Sequence, residues 1–382
     1  METTERSALP LEGLRVIEFT HMVMGPTCGL ILADLGAEVI RVEPPGGDKT
    51  RQLPGLGMGF FRSFNRNKKS IVLDIQTAEG QATARDLIGQ CDVLLENFRP
   101  GLMARFGLDY ASLSALHPRL IYVSHKGFLP GPYEQRTALD EVVQMMAGLS
   151  YMTGPPGRPL RAGTSVNDIA GGMFGAIGVL AALHERERTG RGQEIQSALF
   201  ENCVFLVQQH MQQYLMTGEP PPPMPARAAA WSVYDIFTVA GDEQLFIAAT
   251  SDKQFQALCR VIGRPDLAED PALASNALRV AARPHMLAQL AETLATFRSD
   301  PLAEALEKEG LPYARIMRPD QLFDDPHLIA NGSLADITTD EGSATQVVLL
   351  PVLMGGRRPG VRFPLAKVGE HTQQVLSELL GR

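Results

Sequence analysis

Asp168 stands in a segment whose residue types suit nucleophilic chemistry. The segment is TSVNDIAGG, Thr164–Gly172, and its glycine pair, Gly171 and Gly172, opens a long apolar stretch with helical character. Backbone N–H groups at a helix N-terminus stabilise an ionised carboxylate, and the two glycines leave room and N–H donors for a bulky substrate group. An Asn-Asp pair before a helix is also typical of an ordinary N-cap. The local sequence therefore leaves a catalytic and a capping role open.

Basic residues recur at the ends of apolar runs, in loops that contain glycine and proline. Isolated basic residues usually lie on a solvated face, but the carboxyl ends of parallel strands are where α/β folds bind ligands, so we expect phosphate binding there. The candidates are Arg41, Lys68, Lys69, Arg99 and Arg105. A further run ends in SHKGF, Ser124–Phe128, where His125 is more typical of a structural histidine and Lys126 suits a carboxylate substrate.

The elements that must position these residues alternate between strands and helices. Apolar strand-like runs occur at Leu14–Phe19, Glu38–Glu43, Ser70–Ile75, Val93–Glu96 and Leu120–Ser124. Helical patterns between them predict an α/β fold with a doubly wound, Rossmann-like parallel sheet. No dinucleotide site is expected, because the loop HMVMGPTCG after the first run lacks the glycine fingerprint and GLGMG at Gly55–Gly59 follows no strand.

A run of prolines divides the chain. EPPPPMP at Glu219–Pro225 cannot continue a helix and is typical of a stiff linker. Beyond it, two strand-like runs flank GDE at Gly241–Glu243 as a hairpin, and Leu311–Met317 is predicted to lead back to the first domain. The expected organisation is a large domain at 1–218, a linker at 219–230, an inserted smaller α+β domain at 231–311 and a return segment at 312–382 that completes the large domain.

Composition and charge limit the class of protein. Hydrophobic residues make up 45% and charged residues 20%, as in ordinary globular enzymes, and the net charge of −8 favours neither nucleic acid nor an anionic membrane. The cysteines, Cys28, Cys91, Cys203 and Cys259, show no CxxC spacing and are expected to be buried, reduced thiols. The apolar run Gly171–Leu183 is too short to span a bilayer, and no signal peptide is evident. We therefore expect a soluble, cytoplasmic protein.

Several motifs in a fixed order resemble the class III coenzyme A transferases, also called the formyl-CoA transferase or CaiB/BaiF family. They run from about residue 11 to the end of the chain, so the resemblance covers nearly all of it. Besides the Asp168 segment they are LEGLRVIEFTHMVMGP, LADLGAEVIRVEPPGGD, NRNKKSIVLDI, ENFRPG, RFGLDY, TGRGQEIQSALFE, LFDDPH and GEHT.

The resemblance implies that Asp168 attacks an acyl-CoA, forms a mixed anhydride and then an aspartyl-CoA thioester, and passes the coenzyme to a second acid. It implies an interlocked homodimer, coenzyme A as substrate, no tightly bound cofactor and no metal. The implied CoA contacts are His21, Met22, Val23, Arg41, Leu73, Asn97, Phe98, Arg105 and Lys126. The expected contacts to the acid substrate are His125, Lys126, Gly171 and Gly172.

Departures from the family pattern bear on the reaction. Val23 stands where formyl-CoA transferase has a glutamine, and a short proline-rich linker replaces its glycine-rich flap, which argues against oxalate and formyl-CoA. The related 2-methylacyl-CoA racemases use a histidine base where this chain has Leu139, and leucine cannot be a base. A non-catalytic CoA-binding subunit is a third reading, which the presence of Asp168 disfavours.

The acids that exchange the coenzyme stay open at this stage. The reshaped pocket is typical of transferases for small dicarboxylates such as succinate, malate, citramalate, mesaconate or itaconate. A distal carboxylate needs a cation, for which His125, Lys126, Arg136 and Arg161 are candidates. Transfer within one dicarboxylate is a further alternative.

Overall fold

The computed structural model describes residues 9–226 and 230–382, which fall into two compact units. The large unit runs to Pro225 and resumes at His327, and the small unit is Ala226–Pro326. The chain thus returns to the large unit later than the expected position 312. The reason is that Tyr313–Arg315 pairs with a strand of the small unit instead of leading back.

A parallel sheet organises the large unit, with its strands in the order β3-β2-β1-β4-β5-β6. Its strands are β1 (Arg15–Phe19), β2 (Glu38–Glu43), β3 (Lys68–Val72), β4 (Val93–Glu96), β5 (Ile121–Lys126) and β6 (Glu194–Ala198). The last strand was missed in the sequence because EIQSA has no apolar run, as befits an edge strand that is half exposed. The mixed α/β class and the parallel sheet agree with the sequence prediction.

Helices cover both faces of this sheet, because successive side chains of a strand point to opposite faces. The described helices of the large unit before the linker are α1 (Met24–Asp34), α2 (Phe60–Phe64), α3 (Ala78–Ile88), α4 (Leu102–Arg105), α5 (Tyr110–Ser114), α6 (Asp140–Met146), α7 (Leu149–Thr153), α8 (Val166–Thr189) and α9 (Leu199–Thr217). Ile17 and Leu94 face a core with α3, whereas Val16 and Val93 face a core with α1 and α8. Cys28 lies in the second core, and all of the cysteines are free thiols, three of them buried and Cys91 half-buried.

The small unit is an α+β fold with an antiparallel sheet. Its strands are β7 (Val233–Thr238), β8 (Gln244–Ala249) and β9 (Tyr313–Arg315), in the order β7-β8-β9. Its helices are α10 (Asp252–Val261), α11 (Pro265–Glu269), α12 (Asn276–Ala281), α13 (Arg283–Leu294) and α14 (Ser299–Lys308). Phe255, Leu258 and Leu290 pack against Leu245 and Ile247 in a core that belongs to this unit alone.

The return segment joins the large unit in two places. It contains α15 (Pro326–Ala330), β10 (Leu334–Thr338), β11 (Ala344–Val348) and α16 (Thr372–Leu380). The β10–β11 hairpin packs Ile337 and Val347 against Phe61, and α16 inserts Val375 into the core beside α3. At its start, the backbone N–H of His371 donates to the carbonyl of Ser70 in β3 (2.9 Å).

Helix α8 is longer than the apolar run from which it was predicted. It has 24 residues and, by length and composition alone, is apolar enough to cross a membrane. In the fold it packs on α1 so closely that a Cβ atom added to Gly172 would lie 2.6 Å from the carbonyl oxygen of Met24. Such an approach of two helix backbones requires glycine. One face of α8 therefore forms part of the core, whereas Met173, Ile177 and Leu180 on the same helix are exposed.

Candidate active site

The loops after β1 and β4 meet where the strand order of the large sheet reverses. The backbone N–H of His21 donates to Oδ1 of Asn97 (3.0 Å), and Nδ2 of Asn97 donates to the carbonyl of His21 (2.8 Å). The ring of Phe98 stacks on that of His21, with ring centroids 5.6 Å apart. Burial lowers the pKa of His21, which favours the neutral ring. A crevice at the switch point of a parallel sheet is the usual ligand site of this fold.

The loop after β1 is held in a conformation that is unusual for its residue type. Met22 has a backbone φ of 63°, in the left-handed region that residues other than glycine rarely adopt. Its backbone N–H donates to Oγ1 of Thr50 (3.2 Å), and Thr50 in turn donates from its hydroxyl and its N–H to Oδ1 of Asp48 (2.8 Å each). Val23, which follows, is buried at the N-cap of α1. No local pattern in the sequence indicates this role of Thr50.

Arg41 was expected to contact CoA, but the structure places it inside the protein. It is 2% exposed, and its Nη1 donates to Glu18 (3.1 Å) and Asn65 (3.0 Å), while its Nη2 forms an ion pair with Asp48. Lys68, a candidate for phosphate, donates from Nζ to Glu18 (2.9 Å), and burial lowers its pKa to about 8. Through Glu18 of β1, Arg41 therefore connects β2 to β1, and Lys68 connects β3 to β1, in the interior of the protein.

Lys126 reaches the same crevice from the end of β5. Its Nζ pairs with Oε1 of Glu96 (2.8 Å), and the other carboxylate oxygen of Glu96 accepts from the backbone N–H of Phe98 (2.8 Å). Ser124 donates a further hydrogen bond to Glu96. A pocket opens beside this cluster, lined among others by Arg99, Tyr110 and Lys126. Glu96, which the sequence analysis did not single out, thus joins the ends of β4 and β5.

Asp168 lies in the first turn of α8, not at its cap. Ser165 occupies the N-cap position and makes no side-chain capping bond. The cap is supplied by Asp140, whose Oδ2 accepts from the backbone N–H groups of Asn167 (2.8 Å) and Asp168 (3.1 Å). Within the residues that the structure describes, the carboxylate of Asp168 has no hydrogen-bond partner. The ordinary capping role that the sequence left open is therefore filled by another residue.

The surroundings of Asp168 make it a weaker acid than usual. Burial, and then the negative charge of Asp140, raise the pKa of Asp168 to about 7, while the positive charge of Arg161 opposes the rise. Desolvation and a like charge both disfavour the ionised form of a carboxyl. A carboxyl with a pKa near neutrality is a stronger base and nucleophile than an ordinary aspartate, and it is still substantially ionised at pH 7.

A second chain of hydrogen bonds fixes Asp140. Its Oδ1 accepts from Nε2 of the buried Gln144 (2.5 Å), and Oε1 of Gln144 accepts from the backbone N–H of Ala162 (2.8 Å). Asp140 and Gln144 are one turn apart on α6, so both face the start of α8. Asp140 and Gln144 stand four residues apart in LDEVVQ, a spacing that places two side chains on one face of a helix. The interpretation of this segment from the sequence rested on Leu139 alone. Leu139 itself is exposed at the N-cap of α6.

Three residues expected to contact the acid substrate are buried in helix packing. Gly171 faces Met24, and Gly172 lies against the backbone of α1. His125 packs against Gly175 of α8, and neither of its ring nitrogens has a hydrogen-bond partner among the described residues. Burial lowers the pKa of His125 to about 3, so the ring is neutral at physiological pH. The structure thus gives the glycines a packing role and shows no surface of His125 that a substrate acid could reach.

Comparison with known proteins identifies the family of this site. The sequence profile of CoA-transferase family III matches residues 11–372. The chain belongs to this family. It is 36% identical to a succinate–glutarate CoA-transferase of Agrobacterium fabrum, over 97% of this chain and 96% of the relative. It is 33% identical to a succinyl-CoA–D-citramalate CoA-transferase of Chloroflexus aurantiacus, over 99% and 96%.

A solved structure supports the same conclusion. The crystal structure of a CaiB/BaiF family protein from Brucella suis has a TM-score of 0.89 and 34% identity, and the similarity covers 98% of this chain and 100% of that chain. The resemblance inferred from the sequence motifs is therefore confirmed, and the chain is an enzyme, a family III CoA-transferase.

The residues expected to bind substrates in this CoA-transferase fall into two groups. The structure brings one group together at the crevice between β1, β4 and β5: His21, Met22, Val23, Asn97, Phe98 and Lys126. In the other group, Arg41, Leu73, His125, Gly171 and Gly172 are buried in ion pairs or packing, and Arg105 is exposed on α4.

Proposed function

We propose that this enzyme transfers coenzyme A from a small dicarboxylyl-CoA, such as succinyl-CoA, to another small carboxylic acid, with Asp168 as the nucleophile. The observation that carries the proposal is the carboxyl of Asp168, which has a raised pKa and no hydrogen-bond partner among the described residues, on a helix start that Asp140 holds. The relatives named for succinate, glutarate and citramalate support the choice of acids.

The proposed reaction proceeds through covalent intermediates on Asp168. A carboxylate oxygen attacks the thioester carbonyl, the C–S bond breaks, and a mixed anhydride and CoA thiolate form. The thiolate then attacks the Asp168 carbonyl, which releases the first acid and leaves an aspartyl-CoA thioester. The incoming carboxylate repeats these steps in reverse and regenerates free Asp168. Each step exchanges one carboxyl derivative for another, so the acceptor acid becomes the new CoA ester and no net proton donor or oxidant is consumed.

For the coenzyme we propose the crevice at the switch point. His21, Met22 and Val23 would line it from the loop after β1, and Asn97, Phe98 and Lys126 from the ends of β4 and β5. The loops are fixed by reciprocal hydrogen bonds between His21 and Asn97, which supports a site formed before the ligand binds. Arg105 and Leu73 stay proposals as CoA contacts, whereas Arg41 would act by holding Asp48 and Glu18.

The proposal predicts that succinyl-CoA and a panel of free acids give new CoA esters, with small dicarboxylic acids as the best acceptors. Chromatography of the products measures this directly. An unsymmetrical dicarboxylyl-CoA incubated alone shows whether the coenzyme also moves within one acid. The control substrate is a chiral 2-methylacyl-CoA, which should keep its configuration, because Leu139 offers no base and His125 is buried and neutral. Absence of any new ester together with racemisation would favour the racemase instead.

We also propose that the enzyme is a homodimer, as the family resemblance implies. Helix α8 exposes Met173, Ile177 and Leu180 along one stripe, with Ile177 57% exposed, and α9 exposes Leu215 at 71%. Phe174 of α8 contacts Phe205 of α9 with ring centroids 5.4 Å apart, so the two apolar faces are continuous. Monomeric proteins rarely expose an apolar patch of this extent, and a second copy of the chain is the proposed cover.

Sedimentation equilibrium tests the dimer. The wild type is expected to have twice the mass of one chain, and the double variant Ile177→Lys, Leu215→Lys to have the mass of one, because buried lysines lack partners. Leu116→Lys is the matched control, since Leu116 is 67% exposed and lies in the loop between α5 and β5. A monomeric wild type, or a double variant that stays dimeric, would contradict the proposal.

A further inference from the structure

Arg161 belongs to the segment that fixes the start of α8. Its Nε donates to the carbonyl of Ala162 (3.0 Å), and the N–H of Ala162 donates to Gln144 (2.8 Å). Gln144 donates to Asp140, which accepts from the N–H of Asp168 (3.1 Å). A continuous chain of hydrogen bonds therefore connects the Arg161–Ala162 peptide to the backbone of the nucleophile.

A dicarboxylate substrate that reacts at Asp168 requires a positive charge nearby, and Arg161 can provide it. An incoming dicarboxylate meets the carboxylate of Asp140 beside the nucleophile, and like charges repel strongly in a site from which water is partly excluded. In the described part of the chain, Arg161 is the cation whose charge acts on Asp168 against that of Asp140. A dianionic acid therefore finds its compensating charge at this arginine.

The guanidinium of Arg161 is available to a ligand. The side chain is 28% exposed, and its ion pair with Glu141 spans 3.3 Å to a carboxylate that is 56% exposed. Exposed pairs of this kind contribute little free energy, so a substrate carboxylate can replace Glu141. The other candidates are less available, because Lys126 is paired with Glu96 (2.8 Å) and Arg136 is stacked on Tyr133 (4.9 Å).

We propose that Arg161 binds the non-reacting carboxylate of a dicarboxylic substrate while the other carboxylate reacts at Asp168. This inference rests on the proposed function and adds the group that selects dicarboxylic over monocarboxylic acids. A guanidinium can form two parallel hydrogen bonds with a carboxylate, which fixes the orientation of the acid as well as its charge. Glu141 then acts as the internal competitor that occupies Arg161 between turnovers.

The test compares the best dicarboxylic acceptor with its monomethyl ester. In a double-displacement reaction, kcat/KM for the acceptor depends only on the second half-reaction, so the ratio of the two values cancels effects on the donor. Arg161→Gln is expected to lower this ratio roughly 30-fold by removing a charge-assisted carboxylate contact. Arg161→Lys should lose less, because it keeps the charge without the planar fork. Arg158→Gln, an exposed arginine of the same loop, should leave the ratio unchanged.

Glu141→Gln supplies a test in the opposite direction. Removing the competitor should lower KM for the dicarboxylic acceptor about 2- to 5-fold, in line with a weak exposed ion pair, and leave the monoester unaffected. Thermal melting of each variant verifies the fold. If Arg161→Gln lowers kcat/KM equally for both acceptors, so that their ratio is unchanged, the inference is overturned. A wild type that prefers the monoester would also overturn it. A wild type that forms no CoA ester would instead refute the proposed function.

Discussion

Asp168→Asn is expected to abolish CoA exchange, with a loss of about 10⁴-fold or more in kcat, because covalent catalysis depends on a nucleophile that the amide cannot supply. The substitution keeps the size of the side chain and the hydrogen bond that the backbone N–H of residue 168 donates to Asp140. CoA binding, measured by calorimetry, should change little, since the proposed CoA contacts lie on the loops after β1 and β4. Asp168→Ala should behave in the same way, which excludes slow deamidation as a source of residual activity.

Trapping of the intermediate identifies the nucleophile independently of the rates. Hydroxylamine added to the acyl-CoA-loaded enzyme converts an activated carboxyl to a hydroxamate, and peptide mapping should find this label on Asp168. Asp86→Asn is the matched control, because Asp86 is an exposed carboxylate whose ion pair with Arg382 lies on the surface. It should keep full activity and labelling. Turnover that survives in Asp168→Asn, or a label on another carboxyl, would contradict the mechanism.

The sequence was sufficient for the parallel sheet wherever a strand is buried on both faces. Val93–Glu96 was predicted with its observed bounds because it is apolar and short. β3 begins at Lys68, earlier than predicted, because the ion pair with Glu18 allows a lysine to lie in a buried strand. That pair joins residues from separate strands, so no local pattern indicates it. The same holds for the buried Arg41, whose ion pairs with Glu18 and Asp48 also join separate elements of the chain.

Asp168 was named from the sequence as the proposed nucleophile, but the residue that caps its helix was not. Asp168 followed from the order of the family motifs, whereas its capping residue, Asp140, is 28 residues earlier and across a turn-rich loop. Capping rules look for the acceptor next to the helix, and here Ser165 leaves that role to a distant carboxylate. Gly171 and Gly172 were interpreted as room for substrate because a glycine pair near a nucleophile has that use. The structure shows that both glycines lie against α1, where they allow α1 and α8 to pack closely.

Asp140 is therefore expected to have two separable effects on the nucleophile. Asp140→Asn removes the negative charge that helps to raise the pKa of Asp168 to about 7 and keeps an oxygen that can accept from the helix N–H groups. Because Asp168 reacts in its ionised form, the wild-type kcat/KM for acyl-CoA should rise with pH through a value near 7. In Asp140→Asn this acid limb should move to lower pH, since a like charge has been removed.

Asp140→Ala is expected to show the positional effect instead, with a loss of about 100-fold in the plateau value of kcat/KM. The alanine leaves the N–H groups of Asn167 and Asp168 without their acceptor and frees Gln144, so the first turn of α8 loses its fixed place. Its acid limb should move in the same direction as in Asp140→Asn, because both variants lack the charge. An acid limb unchanged in both variants would show that Asp140 does not set the pKa of the nucleophile. Equal plateau losses in both would show that the charge, and not the hydrogen-bonded position, is what catalysis requires.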